Sequence, residues 1–232
     1  MSIVASSEPP ALEIHPGGVG GPFDFRSLFG NDRPVEVEIG IGKGRFLLTQ
    51  AAERPEVCFL GVEWSLKYLR LAKDRAQRQA LTNIRLFRAD ARHVLAALLP
   101  DRSIARVHVY CPDPWPKKRH RKRRLFTPAT VTHIERVLVP GGYLDLSTDV
   151  RGYFDEIREL VPSASGLREA VDPLFPIDGS SGRTSYEVKY LEAGRPIHRA
   201  TYARAPEAVG RVSGGPRQGM STRMSPDSTR TR

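Results

Sequence analysis

The sequence predicts an α/β fold with a mostly parallel sheet and helices on both of its faces. Short apolar runs bounded by Gly, Pro, Asp or Asn alternate with segments in which apolar residues recur at a helical period. Strands that alternate with helices imply right-handed crossovers and therefore parallel pairing. The length of 232 residues and the hydrophobic share of 40% suffice for one domain with a sizeable core.

The strands are predicted first, in chain order. They cover Val35–Ile39, Cys58–Val62, Ile84–Phe87, Val107–Cys111 and Tyr143–Leu146. Two later segments, Tyr186–Leu191 and Ile197–Tyr202, flank a turn at Gly194 and are predicted to pair as a C-terminal antiparallel hairpin.

The helices between these strands have recognisable starts. One is predicted to open at Arg45, and another follows Ser65, a suitable N-cap, with Leu66, Leu69, Ala72 and Ala76 at helical spacing. Thr127 before Pro128 marks a third start. A fourth helix is predicted around Tyr153–Val161, where apolar residues again share one face.

Composition sets the domain boundaries and the cellular setting. Residues 1–33 are rich in Gly and Pro, and residues 205–232 contain almost no large apolar side chain, so we expect a flexible N-terminal segment, a domain over 34–204 and a disordered Arg-rich tail. Cys58 and Cys111 lie in or beside apolar runs, which favours reduced thiols and a cytoplasmic protein. No segment has the length and hydrophobicity of a membrane helix or the pattern of a signal peptide. The sequence indicates no obligatory protein partner.

The formal charge of +10 is concentrated in two places. Residues 117–124 read KKRHRKRR, and the tail after residue 204 adds five Arg, whereas basic and acidic residues balance over the rest of the chain. Seven cations in one short internal segment repel each other unless an anion binds there, so this segment predicts a polyanionic partner such as RNA. For the tail we assign no role.

The predicted strand ends carry the residues of a cofactor site. In an open parallel sheet, ligands bind beyond the carboxyl ends of the strands. The first strand ends in Glu38 followed by Gly40 and Gly42, the second in Glu63 and the third in Asp90. Glycines allow close approach of a ligand to the backbone, an acid after the second strand can bind ribose hydroxyls, and the next acid can accept from an exocyclic amine. The pattern indicates a cofactor that contains adenosine.

The glycine loop favours one such cofactor over another. A dinucleotide fingerprint needs a third glycine where Arg45 stands, and Glu38 would repel a pyrophosphate. The same carboxylate suits the ammonium or sulfonium of S-adenosylmethionine. A nicotinamide-dependent oxidoreductase is the alternative from the enzyme class, and a non-catalytic RNA-binding protein is the alternative from the binding class.

The fourth strand runs into Cys111-Pro112-Asp113-Pro114-Trp115-Pro116 and then into the basic segment. Three prolines stiffen this loop and fix the directions of Asp113 and Trp115. A rigid loop beside a cofactor is typical of an active site. The scattered histidines show no metal-ligand spacing, so no metal is expected.

From about Leu28 to Tyr202 the chain resembles the bacterial tRNA (guanine-N7)-methyltransferases. The resemblance is carried by VEIGIGKG, GVE, Asp90, PDPWPKKRHRKRR, STD at 147–149 and RTSYE at 183–187. It implies the Rossmann-like fold of class I S-adenosylmethionine-dependent methyltransferases. It also implies methyl transfer to N7 of guanine 46 in the tRNA variable loop, which forms 7-methylguanosine.

The resemblance also implies residue roles. Glu38, Glu63, Asp90 and Asp113 would contact the cofactor, with Asp113 as the catalytic residue. Substrate contacts would come from Lys117, Asp149, Thr184, Ser185, Tyr186 and Glu187. RNA contacts would come from Arg119, His120, Arg121, Lys122, Arg123 and Arg124. We further expect Asp149, Thr184 and Glu187 to recognise the guanine, since carboxylates can accept from its N1–H and amino groups.

Overall fold

The computed structural model describes residues 12–14, 20–171 and 183–207. Eight strands form one sheet in the order β1-β4-β3-β2-β5-β6-β8-β7. Their bounds are β1 Glu13–Ile14, β2 Val35–Ile39, β3 Cys58–Val62, β4 Ile84–Phe87, β5 Ile104–Tyr110, β6 Leu138–Thr148, β7 Arg168–Ala170 and β8 His198–Ala203. Strands β1 to β6 pair in parallel, and β8 is antiparallel to both β6 and β7. The predicted mostly parallel sheet with antiparallel C-terminal strands is confirmed.

Helices connect the strands. Their bounds are α1 Phe25–Phe29, α2 Arg45–Glu53, α3 Leu66–Arg78, α4 Ala91–His93 with a π-helical turn over Val94–Leu98, a 3-10 helix over Lys118–Arg123, α5 Pro128–Val137, α6 Arg151–Ala164 and α7 Ser185–Glu192. The four predicted helices are present. The Thr127 side chain accepts from the backbone N–H of Thr130 and so caps α5 as its sequence predicts.

The core lies on both faces of the sheet. On one face Val37, Val107 and Leu144 pack with residues of α5 and α6 such as Ile134 and Ile157. On the other face Leu47 of α2 and Leu69 of α3 pack against Phe59 and Leu86. Buried apolar side chains on both faces explain why strands such as β3 read as continuous apolar runs rather than alternating ones.

The second face also carries a buried polar strip, defined as Glu36, Arg54, Arg106, His108 and Asp145. His108 Nε2 lies 3.0 Å from the Glu36 carboxylate, and Arg106 donates to Asp145 over 2.6 Å. Arg54, which directly follows α2, forms an ion pair with Glu36. Burial raises the pKa of Glu36, but hydrogen bonds from His108 and Arg54 outweigh that effect and lower it to about 2. Each charge in the strip is therefore compensated by a neighbour.

Two expectations need correction. Tyr186–Leu191 is not a strand but most of α7, and the partners of β8 are β6 and β7. Helix α7 forms because Thr184 and Glu187 make a capping box, in which each side chain accepts from the other residue's backbone N–H. In addition, residues 20–33 pack on the domain, since Phe23 and Phe29 are buried in the core. The predicted tail lies outside the described residues from 208 onward.

None of the helices in the described part of the chain has the length and hydrophobicity that crossing a bilayer requires. Within the same residues, no group of three or more His, Cys, Asp or Glu side chains is placed to hold a metal ion.

Candidate functional site

A cleft of about 860 Å³ opens at the carboxyl ends of the central strands. The sheet order reverses at β2, whose neighbours are β3 on one side and β5 on the other. Such a switch point leaves a crevice, because the loops after the two flanking strands turn in opposite directions. Gly40, Glu63, Asp90, Asp113 and Asp149 all line the cleft, one from the end of each of five parallel strands.

The glycine loop is tied to the next strand end. Gly40 and Gly42 have φ angles of 78° and 51°, a conformation that favours glycine. The backbone N–H of Gly42 donates to Glu63 Oε2 over 2.9 Å, and that of Ser65 donates to Glu63 Oε1 over 2.7 Å. A Cβ at Gly40 would meet no atom within 4 Å, so open space lies beside the backbone there. Glu63 therefore shapes the loop and also presents its carboxylate to the cleft.

Glu38 lies behind the surface of the cleft rather than on it. Its side chain is buried, and Oε2 has no hydrogen-bond partner among the described residues. Burial, together with the nearby carboxylates of Glu187 and Glu63, raises the pKa of Glu38 to about 8. A cationic group placed next to it would relieve this unfavourable environment.

Asp90 occupies a helix start at the cleft wall. Its carboxylate accepts from the backbone N–H of Arg92 over 2.8 Å and caps α4. Burial raises the pKa of Asp90, but hydrogen bonds from Arg92 outweigh it and hold the pKa below its usual value. The carboxylate is half-exposed and faces the cleft as an acceptor.

The loop after β5 holds Asp113 between two strained positions. Cys111 and Trp115 have φ angles of 47° and 40°, which only the surrounding structure can maintain for residues with a side chain. Asp113 itself is exposed and lines the cleft. Burial raises the pKa of Cys111 to about 12, so its thiol stays protonated at neutral pH and is no nucleophile.

The basic segment 117–124 begins where this loop ends, and its members have different roles. Lys117, Lys118, Arg119 and Lys122 are exposed, and no carboxylate of the described residues lies within ion-pairing distance of them. Lys117 precedes the 3-10 helix and does not line the cleft. Arg121 lies 3.5 Å from Glu156, whose carboxylate is half-exposed. His120 packs edge-on against Trp115.

Arg124 departs from its predicted role. It is 8% exposed, it donates to the carbonyl oxygen of Pro114 over 2.7 Å, and it pairs with Glu156. Its guanidinium also lies 4.6 Å from the ring centroid of Tyr153. The Nε and Nη1 groups are thus engaged within the protein, where they tie the Asp113 loop to Glu156 of α6.

On the opposite side of the cleft, α7 places the remaining predicted substrate residues. Tyr186 lines the cleft, as does Tyr68 of α3. Asp149 also lines it but forms an ion pair with Arg195. Thr184, which is buried, and Ser185, which is half-buried, start the helix without lining the cleft.

Glu187 does not reach the cleft. It is fully buried, accepts from Ser147 Oγ over 2.7 Å, and pairs with Arg199 of β8 over 2.6 Å. Its second oxygen accepts from the backbone N–H of Thr184. Glu187 thus anchors α7 to the sheet, and the structure does not present it to a guanine.

Several residues that line the cleft are not predicted from the sequence. Trp64 directly follows Glu63 and is 68% exposed, and Tyr110 is the last residue of β5. Tyr190 and Arg195 come from α7 and the turn after it. Their positions at or just after a strand end could have identified Trp64 and Tyr110 as residues of the site. No local pattern marks Tyr190 or Arg195, since their place beside the cleft depends on Ser185–Glu192 being a helix and not the predicted strand.

The sequence is similar to a group of curated proteins. The model of the family described as "Putative methyltransferase" matches residues 32–200. A protein of Chromohalobacter salexigens named tRNA (guanine-N(7)-)-methyltransferase is 39% identical over 184 residues, which span 78% of this chain and 75% of the relative. A protein of Mycobacterium avium with the same name is 40% identical over 184 residues, which span 78% of this chain and 71% of the relative.

Solved structures share the architecture. The 16S rRNA methyltransferase KamB superposes with a TM-score of 0.58 at 15% identity and covers 79% of this chain and 93% of its own. The aminoglycoside resistance methyltransferase NpmB1 superposes with a TM-score of 0.52 at 18% identity and covers 75% of this chain and 88% of its own. At such low identity the likeness establishes the fold alone, which is that of class I methyltransferases.

Proposed function

Since this chain belongs to the family of bacterial tRNA (guanine-N7)-methyltransferases, it methylates N7 of a guanine in tRNA with S-adenosylmethionine as donor, and we propose that this guanine is position 46 of the variable loop. Membership in this family sets aside the nicotinamide-dependent oxidoreductase and the non-catalytic RNA-binding protein. The residue assignments below are part of the same proposal, as is a cytoplasmic location.

The cleft residues suit the cofactor. The unpartnered Oε2 of buried Glu38 is a site for a cation, and the open backbone at Gly40 allows close approach. We assign the cofactor's cationic end to Glu38, its ribose hydroxyls to Glu63 and its adenine amino group to Asp90. When bound, S-adenosylmethionine supplies an electrophilic methyl group on a positively charged sulfur.

The reaction requires little acid–base catalysis by the protein. Guanine N7 has an in-plane lone pair and no proton, so no general base is needed and alignment supplies most of the catalysis. The purine becomes positively charged as N7 is methylated. Asp113, held by the strained loop at the end of β5, provides a carboxylate that stabilises this charge.

The basic segment supplies the tRNA contact. Lys117, Lys118, Arg119 and Lys122 project into solvent beside the cleft without a carboxylate partner among the described residues, so they can neutralise phosphates. Arg124 and Glu187 act as positioning residues, for the Asp113 loop and for α7. Asp149 reaches the guanine only after its ion pair with Arg195 opens.

One observation supports the proposal most strongly: carboxylates from neighbouring strand ends line a single cleft, and the cleft continues into a cationic segment in which Lys117, Lys118, Arg119 and Lys122 have no carboxylate partner among the described residues. The test is methyl transfer from labelled S-adenosylmethionine to two tRNA transcripts, one with guanine and one with adenine at position 46. We expect labelled 7-methylguanosine from the first transcript alone. Equal labelling of both would refute the choice of position 46.

Asp113→Ala and a triple Arg119→Gln, Arg121→Gln, Lys122→Gln variant separate chemistry from binding. Asp113→Ala should abolish methyl transfer while tRNA affinity stays within a fewfold of wild type, since one carboxylate contributes little to holding a polyanion. The triple variant should lose tRNA affinity and show a flatter salt dependence, and added tRNA should restore its turnover. Restoration of the Asp113→Ala rate by added tRNA would contradict these roles.

A further inference from the structure

Trp115 lines the cleft and has no role in the proposed methyl transfer as described so far. It follows Asp113 by two positions, lines the same cleft, and lies between Pro114 and Pro116 in a left-handed conformation with φ 40°. Arg124 holds the preceding carbonyl, that of Pro114. The indole is therefore fixed in place next to the proposed catalytic carboxylate.

The face of this indole already binds a planar cation. The guanidinium of Arg123 lies 5.0 Å from the ring centroid of Trp115, and His120 meets the same ring edge-on at 5.7 Å. Arg123 also lines the cleft, and none of the described carboxylates pairs with it. The negative face of an aromatic ring attracts a cation, and a flat cation can stack on it.

The proposed reaction turns guanine into another planar cation. As the N7 lone pair forms the bond to the methyl carbon, the carbon–sulfur bond breaks, its electron pair stays on sulfur, and the positive charge passes to the purine. No proton is released. An indole stacked on the ring would hold the charged purine more tightly than the neutral one, which is what lowers a barrier.

We propose that Trp115 is the stacking platform for the target guanine and that it favours the methylated, positively charged ring. Arg123 covers this face in the absence of RNA and leaves it for a phosphate when tRNA binds. The inference rests on the proposed function, because it requires guanine N7 to be the methyl acceptor.

The chain provides a matched control in Trp64. It is the other of the two tryptophans in the sequence, it lines the same cleft, and the guanidinium of Arg88 lies 5.8 Å from its ring centroid. It stands after β3, next to Glu63, and not beside Asp113. Trp64→Phe leaves Trp115 as the only indole, and Trp115→Phe leaves Trp64.

The first test measures tryptophan fluorescence with S-adenosylhomocysteine present. The probes are 7-methylguanosine 5′-monophosphate and guanosine 5′-monophosphate. In the Trp64→Phe protein we expect both probes to quench the fluorescence of Trp115, with at least tenfold higher affinity for the methylated probe. Addition of Arg123→Gln removes the cation that competes for the indole face, so the methylated probe should then bind more tightly still. Equal affinities, no quenching, or quenching seen only in Trp115→Phe would each overturn the proposal.

The second test measures single-turnover methyl transfer at saturating tRNA. Trp115→Leu should slow the step at least tenfold, Trp115→Phe should recover part of the rate, and affinity for S-adenosylhomocysteine should stay within twofold of wild type in both. A wild-type rate in Trp115→Leu would refute the inference while leaving the function intact. Failure of the wild-type protein to form 7-methylguanosine would instead refute the function.

Discussion

Replacing Arg124 by Met should destabilise the protein, although Arg124 belongs to the basic segment 117–124 that we assign to tRNA binding. The side chain is buried, donates to the Pro114 carbonyl, packs on the Tyr153 ring and pairs with Glu156. Met keeps the apolar stem and removes the guanidinium, so the variant isolates the polar contacts.

The expected loss of unfolding free energy follows from these three contacts. Loss of a charged hydrogen bond costs about 1.5–3 kcal/mol, and loss of the cation–π contact costs about 1 kcal/mol. The ion pair adds at most about 1 kcal/mol because Glu156 is half-exposed. The total is about 2.5–5 kcal/mol, and at roughly 2–4 °C per kcal/mol for a chain of this size the melting temperature should fall by about 5–20 °C.

The assay compares Arg124→Met with Arg119→Met by thermal unfolding and by tRNA binding at several salt concentrations. Arg119 is exposed, so its replacement should change stability by less than about 0.5 kcal/mol and reduce the slope of log affinity against log salt by about 1. An Arg124→Met protein that melts like wild type but loses salt slope would refute the structural role of Arg124.

Two further predictions concern the cofactor side. The pKa of Glu38 is about 8 in the folded protein against 4.5 as its ordinary value, so the unfolded chain loses this proton first and wild-type stability should fall as pH rises through that window. Glu38→Gln should show a flatter profile in urea unfolding between pH 5 and 8, and parallel profiles would contradict the assignment. Glu63→Ala removes the acceptor for Gly42 and Ser65, so calorimetry should show S-adenosylhomocysteine binding at least tenfold weaker, a loss of about 1.5–3 kcal/mol. Unchanged affinity in a folded variant would remove Glu63 from the cofactor site.

The parallel sheet and the positions of Glu63, Asp90 and Asp113 could be predicted because each depends on a local rule. Apolar runs set the strands, and the carboxyl ends of parallel strands meet at one edge. The acids that follow these strand ends therefore lie along one cleft, whatever the details of packing. The glycine loop was predictable for the same reason.

Helix α7 was mispredicted although a local signal existed. Tyr186, Val188 and Tyr190 alternate with polar residues as in a strand. Thr184 and Glu187 also have the spacing of a capping box, and in the structure this box decides the conformation. The ion pair of Glu187 with Arg199 then fixes the capped helix on the sheet.

Other features could not be read from the sequence at all. Arg124 resembles its basic neighbours in every local respect, and only its burial against Pro114, Tyr153 and Glu156 separates it from them. Likewise Glu36 and His108 interrupt apolar strands at positions where their partners come from α2 and from neighbouring strands. Such pairings depend on three-dimensional proximity between distant segments.

The anchoring of Glu187 to Arg199 has a consequence for biosynthesis. A ribosome releases the cofactor half of the site, residues 35–113, well before it releases β8. Until Arg199 emerges, Glu187 lacks its ionic partner and α7 lacks its attachment to the sheet. A nascent chain can therefore assemble first the half of the cleft that we assign to the cofactor, and it gains the opposite wall only when β8 joins the sheet.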